Sequence, residues 1–360
     1  MTALRLPGLI DVHVHLREPG GEHKEDISTG SAAALAGGVT MVLDMPNTYP
    51  PLVDAESLAA KRELISRRAL CDIGLYIGAS ETNASEAAGL ASQAIALKIY
   101  LDQTYGPLQM RSLAALLSHF RTWPATQPIA VHAEGLSIAI AIGLARVYAR
   151  RLHLCHVSRA DEIALIRAAK ESGAVLTCEV TPHHLFLTEA DARQLGPYGF
   201  MKPPLATTAD VAALWANLDV VDCIATDHAP HTRAEKESEA PPPGVPGLET
   251  MLPLLLSAVS QERLTLERLV QLTHEAPRRI FHLPAQPDTF VEVETRVRTV
   301  LKHNGWHTKC GWTPFEGLGV QGCIRRVVLR GRTVYKEGVV RAAPGFGRVI
   351  PPLARNQDPQ

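Results

Sequence analysis

Two histidines separated by one residue, His13 and His15 in Asp11-Val12-His13-Val14-His15, sit at i and i+2 of an apolar run. On a β-strand both imidazoles therefore project from one face. Neutral imidazole nitrogens aimed at one point suit zinc. His132 and His156 end two other apolar runs, and Asp227, in Ala225-Thr226-Asp227-His228-Ala229-Pro230-His231, adds a carboxylate from a further one. A single strand-end histidine more often caps backbone groups or stacks in a core. Four of them with an aspartate, spread over separate runs, fit a metal site better. Lys98 interrupts the run Ala96-Leu97-Lys98-Ile99-Tyr100, which is otherwise apolar on both faces. Desolvation and neighbouring cations depress a lysine pKa, leaving a neutral amine that can add CO₂ and become a carbamate able to bridge two metals. The plainer role for such a lysine is to reach from a strand end to solvent.

The elements that position these residues follow from periodicity. Short β-branched runs alternate with longer Ala/Leu-rich stretches of helical period, the pattern of repeated βα units. The runs are Leu9–Val14, Val39–Asp44, Ile73–Ile77, Ala96–Leu101, Ile129–His132, Leu152–His156, Val175–Glu179 and Cys223–Asp227. This is the strand number of a closed parallel barrel, so the predicted fold class is α/β, a (β/α)₈ TIM-like barrel. His13/His15, Asp44, Lys98, His132, His156, Glu179 and Asp227 lie at or near run ends, and in this fold such ends converge on one mouth. The Pro/Gly-rich Ala240–Gly247 follows the eighth run, and Cys323–Val328 with Arg332–Tyr335 reads as a hairpin across Arg330-Gly331. The expected organisation is a barrel over residues 1–285, a small β appendage formed mainly by the C-terminal segment over 286–345, and a partly disordered tail over 346–360.

Composition excludes several function classes. Lys+Arg total 36 against 37 Asp+Glu, so neither nucleic acid nor an anionic membrane surface is favoured, and a small-molecule substrate is the default. No apolar run is long enough to span a membrane and no secretory leader is evident, which points to a cytoplasmic protein. Six cysteines without a C-x-x-C pair read as reduced thiols.

The stretch Pro7-Gly8-Leu9-Ile10-Asp11-Val12-His13-Val14-His15-Leu16-Arg17-Glu18-Pro19-Gly20 resembles the entry signature of dihydroorotases in the amidohydrolase superfamily. Met45-Pro46-Asn47-Thr48, Leu97-Lys98-Ile99-Tyr100, Cys178-Glu179-Val180-Thr181-Pro182-His183-His184, Thr226-Asp227-His228-Ala229-Pro230-His231 and Pro314-Phe315-Glu316-Gly317 agree, in order, over nearly the whole chain. Pro246-Gly247-Leu248-Glu249-Thr250-Met251-Leu252-Pro253 and Arg278-Arg279-Ile280-Phe281-His282-Leu283-Pro284 are most similar to the dihydroorotase domains of animal multifunctional pyrimidine-synthesis proteins.

The resemblance implies reversible zinc-dependent cyclisation of N-carbamoyl-L-aspartate to L-dihydroorotate. One Zn²⁺ would sit on His13, His15 and Asp227 and a second on His132 and His156, with carbamylated Lys98 as bridging ligand. Asp227 would carry the proton, and Arg17, Asn47 and His231 would bind the substrate carboxylate. From the residues alone, Arg17 could instead pair with Glu25 or Asp26, and Asn47 could simply shape a turn. Cys155 and Glu179, with help from His132, leave a third metal open against a buried, inert cysteine. Thr104 and Tyr105 are lid candidates by resemblance, against an ordinary loop. Lys202 departs from the animal pattern, which has arginine there, and its role is left open. A homodimer, or a place in a multifunctional chain with carbamoyl-phosphate synthetase and aspartate transcarbamoylase, is implied. The start of the first run at Leu9 favours a domain excised from such a chain. The alternatives are a hydantoinase or allantoinase, and a catalytically silent barrel kept as a scaffold.

Overall fold

The computed structural model describes residues 4–353. Its centre is eight parallel strands that neighbour one another in chain order: β2 (Leu9–Val14), β3 (Val39–Asp44), β4 (Asp72–Gly78), β5 (Ala96–Tyr100), β6 (Ile129–His132), β7 (Leu152–Leu154), β8 (Leu176–Val180) and β9 (Cys223–Ile224). They follow β1 (Leu4–Pro7). Strands covered on both faces should be apolar throughout, and every residue of β2 to β6 is indeed buried. Between β9 and β2 the barrel is nearly closed by side chains and a bridge rather than a full ladder. Asp11 accepts from the Thr226 amide at 3.1 Å and its hydroxyl at 2.5 Å, and the His15 amide donates to the His228 carbonyl at 2.8 Å. This is the predicted (β/α)₈ architecture.

Helices ring the barrel, and several begin on side-chain caps. Asp26 caps Ile27–Ala36 and Asp54 caps Ala55–Arg68, each accepting an amide of the first turn. Ile10, Val12, Met41, Leu43 and Tyr76 fill the interior against Phe281, while Leu97, Ile99, Val131 and Leu154 face the helices. On β5, Lys98 thus shares the inner face with Ala96. Among the described residues no helix is long and apolar enough to cross a membrane.

The appendage is an antiparallel sheet in which β1 is followed by β10 (Phe290–Val300), β11 (Gly319–Leu329), β12 (Arg332–Lys336) and β13 (Val339–Val340). Its first strand lies within the 1–285 segment expected to be barrel. Leu4 to Pro7 pair with Val293 to Phe290, so the described chain passes through the appendage sheet before entering the barrel at Leu9. The expected tail is described as far as Leu353 and contains β14 (Val349–Ile350), which pairs in parallel with Ile73 and Gly74 of β4. The remainder of the tail lies outside the described residues.

Candidate active site

The barrel mouth collects the strand ends. His13 and His15 from β2 have ring centroids 5.4 Å apart, His13 lies 5.3 Å from His156, and His132 lies 4.6 Å from His156. Asp227 Oδ1 is 3.0 Å from His15 Nε2 and 3.3 Å from His13 Nε2. The donor atoms of His13, His156 and Asp227 cluster closely enough to share one ion, and those of His13, Cys155 and Glu179 form a second such group. The latter contains His13, not the His132 that the sequence had suggested.

Hydrogen bonding shows what this cluster requires. Asn47 Nδ2 donates to the Tyr105 carbonyl at 2.9 Å, so Asn47 Oδ1 is the acceptor facing His15 Nδ1 at 2.7 Å. The His15 proton is therefore on Nδ1. Burial pushes this imidazole down to about 4 over the opposing pull of Asp227, which leaves the ring neutral with a bare lone pair on Nε2. Burial also works against the Asp227 carboxylate, yet His13, His15 and His156 hold it well below the usual range, so it is ionised. Two acceptors 3.0 Å apart repel each other unless a cation lies against both.

Other groups point the same way. Burial and Lys98 lower His13, but Asp227, Glu179 and Cys155 outweigh them and lift it to about 10, so the carboxylates demand positive charge here. Burial drives His132 down and His156 further down. Among the described residues His156 Nδ1 has no hydrogen-bond partner, and His132 Nε2 has only the Glu134 carboxylate, at 3.4 Å. The neutral imidazoles of His15, His132 and His156 beside the ionised Asp227 carboxylate fit a divalent metal of the zinc type.

Lys98 is fully buried, and its Nζ donates to Cys155 Sγ at 2.9 Å, with no carboxylate paired to it among the described residues. Glu179 accepts from His13 Nδ1 at 2.5 Å, His153 Nε2 at 3.0 Å and the His156 amide at 3.2 Å. It thereby orients His13 as the partner of a metal-ligating imidazole does. Asp44 also ends a strand but faces away from the cluster, paired with buried Lys61 at 2.6 Å.

Arg17, Asn47, Thr104, Tyr105 and Lys202 line the pocket beside these donors, bounded on another side by Pro243 and Gly244. Its free volume is only about 20 Å³. Arg17 is 5% exposed, donates from Nε to the Pro230 carbonyl at 3.2 Å, and lies 3.1 Å from His231 Nε2. It does not pair with Glu25 or Asp26: Glu25 accepts from the Thr308 hydroxyl, and Asp26 binds Lys309 and Arg68. Arg17 (φ 64°), His156 (φ 37°) and Asp227 (φ 45°) hold left-handed backbone. Each such residue costs about 1–3 kcal/mol and persists because its surroundings enforce it.

Sequence reasoning missed Lys24, Glu235 and Lys236 around His231. Lys24 and Lys236 are buried, and Lys236 Nζ donates to the carbonyls of Phe200, Pro242 and Gly244, pinning the Pro/Gly-rich loop against the pocket. Both lie in charged runs that look solvated. The only available signal was their closeness in sequence to Arg17 and His231.

The chain is similar to several known proteins. The chain is 53% identical to the multifunctional protein CAD of Squalus acanthias over 96% of its own length, and spans 16% of that protein. It is 36% identical to the dihydroorotase of Pyrococcus furiosus, covering 96% of this chain and 84% of that one. Among solved structures it is similar to the L-hydantoinase (dihydropyrimidinase) of Arthrobacter aurescens, with a TM-score of 0.92, 25% identity and coverage of 97% and 89%. It is also similar to the inactive dihydroorotase-like domain of a Chaetomium thermophilum CAD-like multifunctional protein, with a TM-score of 0.83, 27% identity and coverage of 97% and 99%. Residues 4–284, the segment that builds the barrel and supplies every donor named above, match the Amidohydrolase family, to which this chain belongs.

Proposed function

We propose that the chain is a dihydroorotase, interconverting N-carbamoyl-L-aspartate and L-dihydroorotate in de novo pyrimidine biosynthesis. One observation carries the reading: a chain similar over nearly its whole length to a dihydroorotase presents, in one pocket, a metal-type donor cluster beside a buried arginine. His13, His15 and Asp227 would hold one zinc and His132 and His156 another, with Lys98, as its carbamate, between them. Bound zinc would supply an acidified water at neutral pH and polarise the amide carbonyl.

The chain's own residues do the rest. Asp227, ionised and set beside His13 and His15, accepts a proton at Oδ1 or Oδ2 and returns it to the departing ring nitrogen. Arg17 offers a forked contact to the substrate carboxylate, with Asn47 and His231 as companions. Thr104 and Tyr105, above the pocket, would exclude bulk water as a lid. In the biosynthetic direction the same groups act in reverse. Cys155 and Glu179, with His13, are the proposed residues of any third metal.

Turnover of dihydroorotate, hydantoin and allantoin by the zinc-loaded protein tests the assignment. Hydantoin hydrolysis without dihydroorotate turnover would replace it with the activity named for the Arthrobacter relative. The scaffold reading has the inactive Chaetomium domain in its favour, but the complete donor set counts against it. Less than about one zinc per chain after purification without chelators would favour the scaffold. We further propose a cytoplasmic homodimer, or a domain within a multifunctional chain, consistent with the similarity to CAD. The helix Leu136–Val147 exposes an apolar stripe of Leu136, Ile140 and Val147, which a second copy would cover.

A further inference from the structure

The pocket is narrow, with a cavity volume of about 20 Å³, and the segment carrying Thr104 and Tyr105 forms part of its wall, so lifting that segment would widen the way in for a cyclic amide. What holds that segment down is therefore part of how the pocket works. The Tyr105 carbonyl accepts from Asn47, and the phenol is fastened separately, by a residue 81 positions away.

Lys24, 4% exposed, directs its ammonium at three acceptors: Tyr105 Oη at 2.9 Å, His231 Nδ1 at 3.1 Å and Glu235 Oε1 at 2.7 Å. Two of these contacts are hydrogen bonds and the third is an ion pair. Its Nζ also lies 4.6 Å from the centroid of the Tyr105 ring, with the Arg17 guanidinium carbon at 4.9 Å, so two cations share one aromatic ring. The same ring meets His231 edge-on at 5.0 Å.

The contact to His231 fixes a tautomer. An ammonium can only donate, so Nδ1 accepts and the imidazole proton is on Nε2. The Pro243 carbonyl, 3.0 Å from Nε2, independently requires the same assignment. Arg17 Nη2, also a donor, lies 3.1 Å from the same Nε2 and opposes this assignment, which the Lys24 and Pro243 contacts together outweigh.

We propose that Lys24 is a positioning residue of this pocket, latching the 101–110 segment closed through the Tyr105 hydroxyl and seating His231 with its proton on Nε2. The proposal rests on the reading of this pocket as the substrate site. The latch itself is measurable without turnover.

The test is amide hydrogen exchange of residues 101–110 in the zinc-loaded protein, alone and with dihydroorotate. Tyr105→Phe keeps the ring and removes only the hydroxyl, while Lys24→Met keeps length and removes the charge. Each should speed exchange of this segment by about tenfold, the worth of a hydrogen bond to a charged group. The double variant should exchange no faster than Lys24→Met, because both substitutions break one bond. Tyr105→Phe should lower kcat/KM by about fivefold at unchanged zinc content, mainly through KM, because closure is part of binding. Exchange at the wild-type rate in both single variants, or effects that simply multiply in the double variant, would overturn the latch. Accelerated exchange in a protein that fails to turn over dihydroorotate would uphold the latch and refute the functional assignment instead.

Discussion

Arg17→Ala separates substrate handling from metal binding. Arg17 is 5% exposed, spends one N–H on the Pro230 carbonyl and, among the described residues, forms no hydrogen bond or ion pair with the cluster donors. Removing a forked, charge-assisted contact from a site of this burial should raise the free energy of the bound transition state by about 3 kcal/mol, or about 150-fold in kcat/KM. Zinc content should not change. Arg17→Lys should recover less than a tenth of the loss, since a point charge lacks the fork. The backbone supplies a control: at φ 64° a Cβ is strained, so Arg17→Gly should be more stable than Arg17→Ala by about 1 kcal/mol although equally impaired. Steady-state kinetics with dihydroorotate, metal analysis and thermal melts measure all three. Loss of zinc in Arg17→Ala, or a fall in kcat/KM below about threefold, would refute the role assigned to this side chain.

Lys98→Ala should abolish turnover and reduce the metal content of the purified protein to about one zinc or fewer, by elemental analysis; a fully active variant with both metals would remove the bridging role. Glu249 is held up at about 8 by burial, over the opposing pull of the His307 and Thr308 amides, against an ordinary value of 4.5. Its folded pKa lies above its unfolded one. Its contribution to stability is therefore intact below the ordinary value and declines as pH rises from about 4.5 to 8, then levels off. The stability difference between Glu249→Gln and wild type should move in the variant's favour by a few kcal/mol across that window, read from denaturant melts at stepped pH. Ile140→Glu, on the exposed stripe of the helix Leu136–Val147, should yield monomers by sedimentation with the zinc site intact. An unchanged dimer would place the interface elsewhere.

Where the sequence and the structure part company, the site itself is the cause. Runs read as Leu9–Val14, Val39–Asp44 and Ile129–His132 end where the strands end, because apolar β-branched residues buried on both faces announce themselves. The runs read as Leu152–His156 and Cys223–Asp227 are too long, since those ladders stop at Leu154 and Ile224. Both overruns finish on a residue with left-handed backbone, His156 at φ 37° and Asp227 at φ 45°. The chain leaves the sheet there in order to aim a donor, a choice that local propensity opposes and only the assembled cluster repays. Lys24 escaped notice for the complementary reason. Glu22 to Asp26 is a run of charge and histidine typical of a solvated turn, yet its last three residues are buried, Lys24 against Tyr105, His231 and Glu235, Glu25 against Thr308, and Asp26 against Lys309 and Arg68. Periodicity therefore reveals the frame and the residue types that could ligate. The closure of the mouth depends on contacts across dozens of residues, which no window along the chain contains, and the Tyr105 hydroxyl, a single atom, is where that closure can be weakened without touching the metal donors.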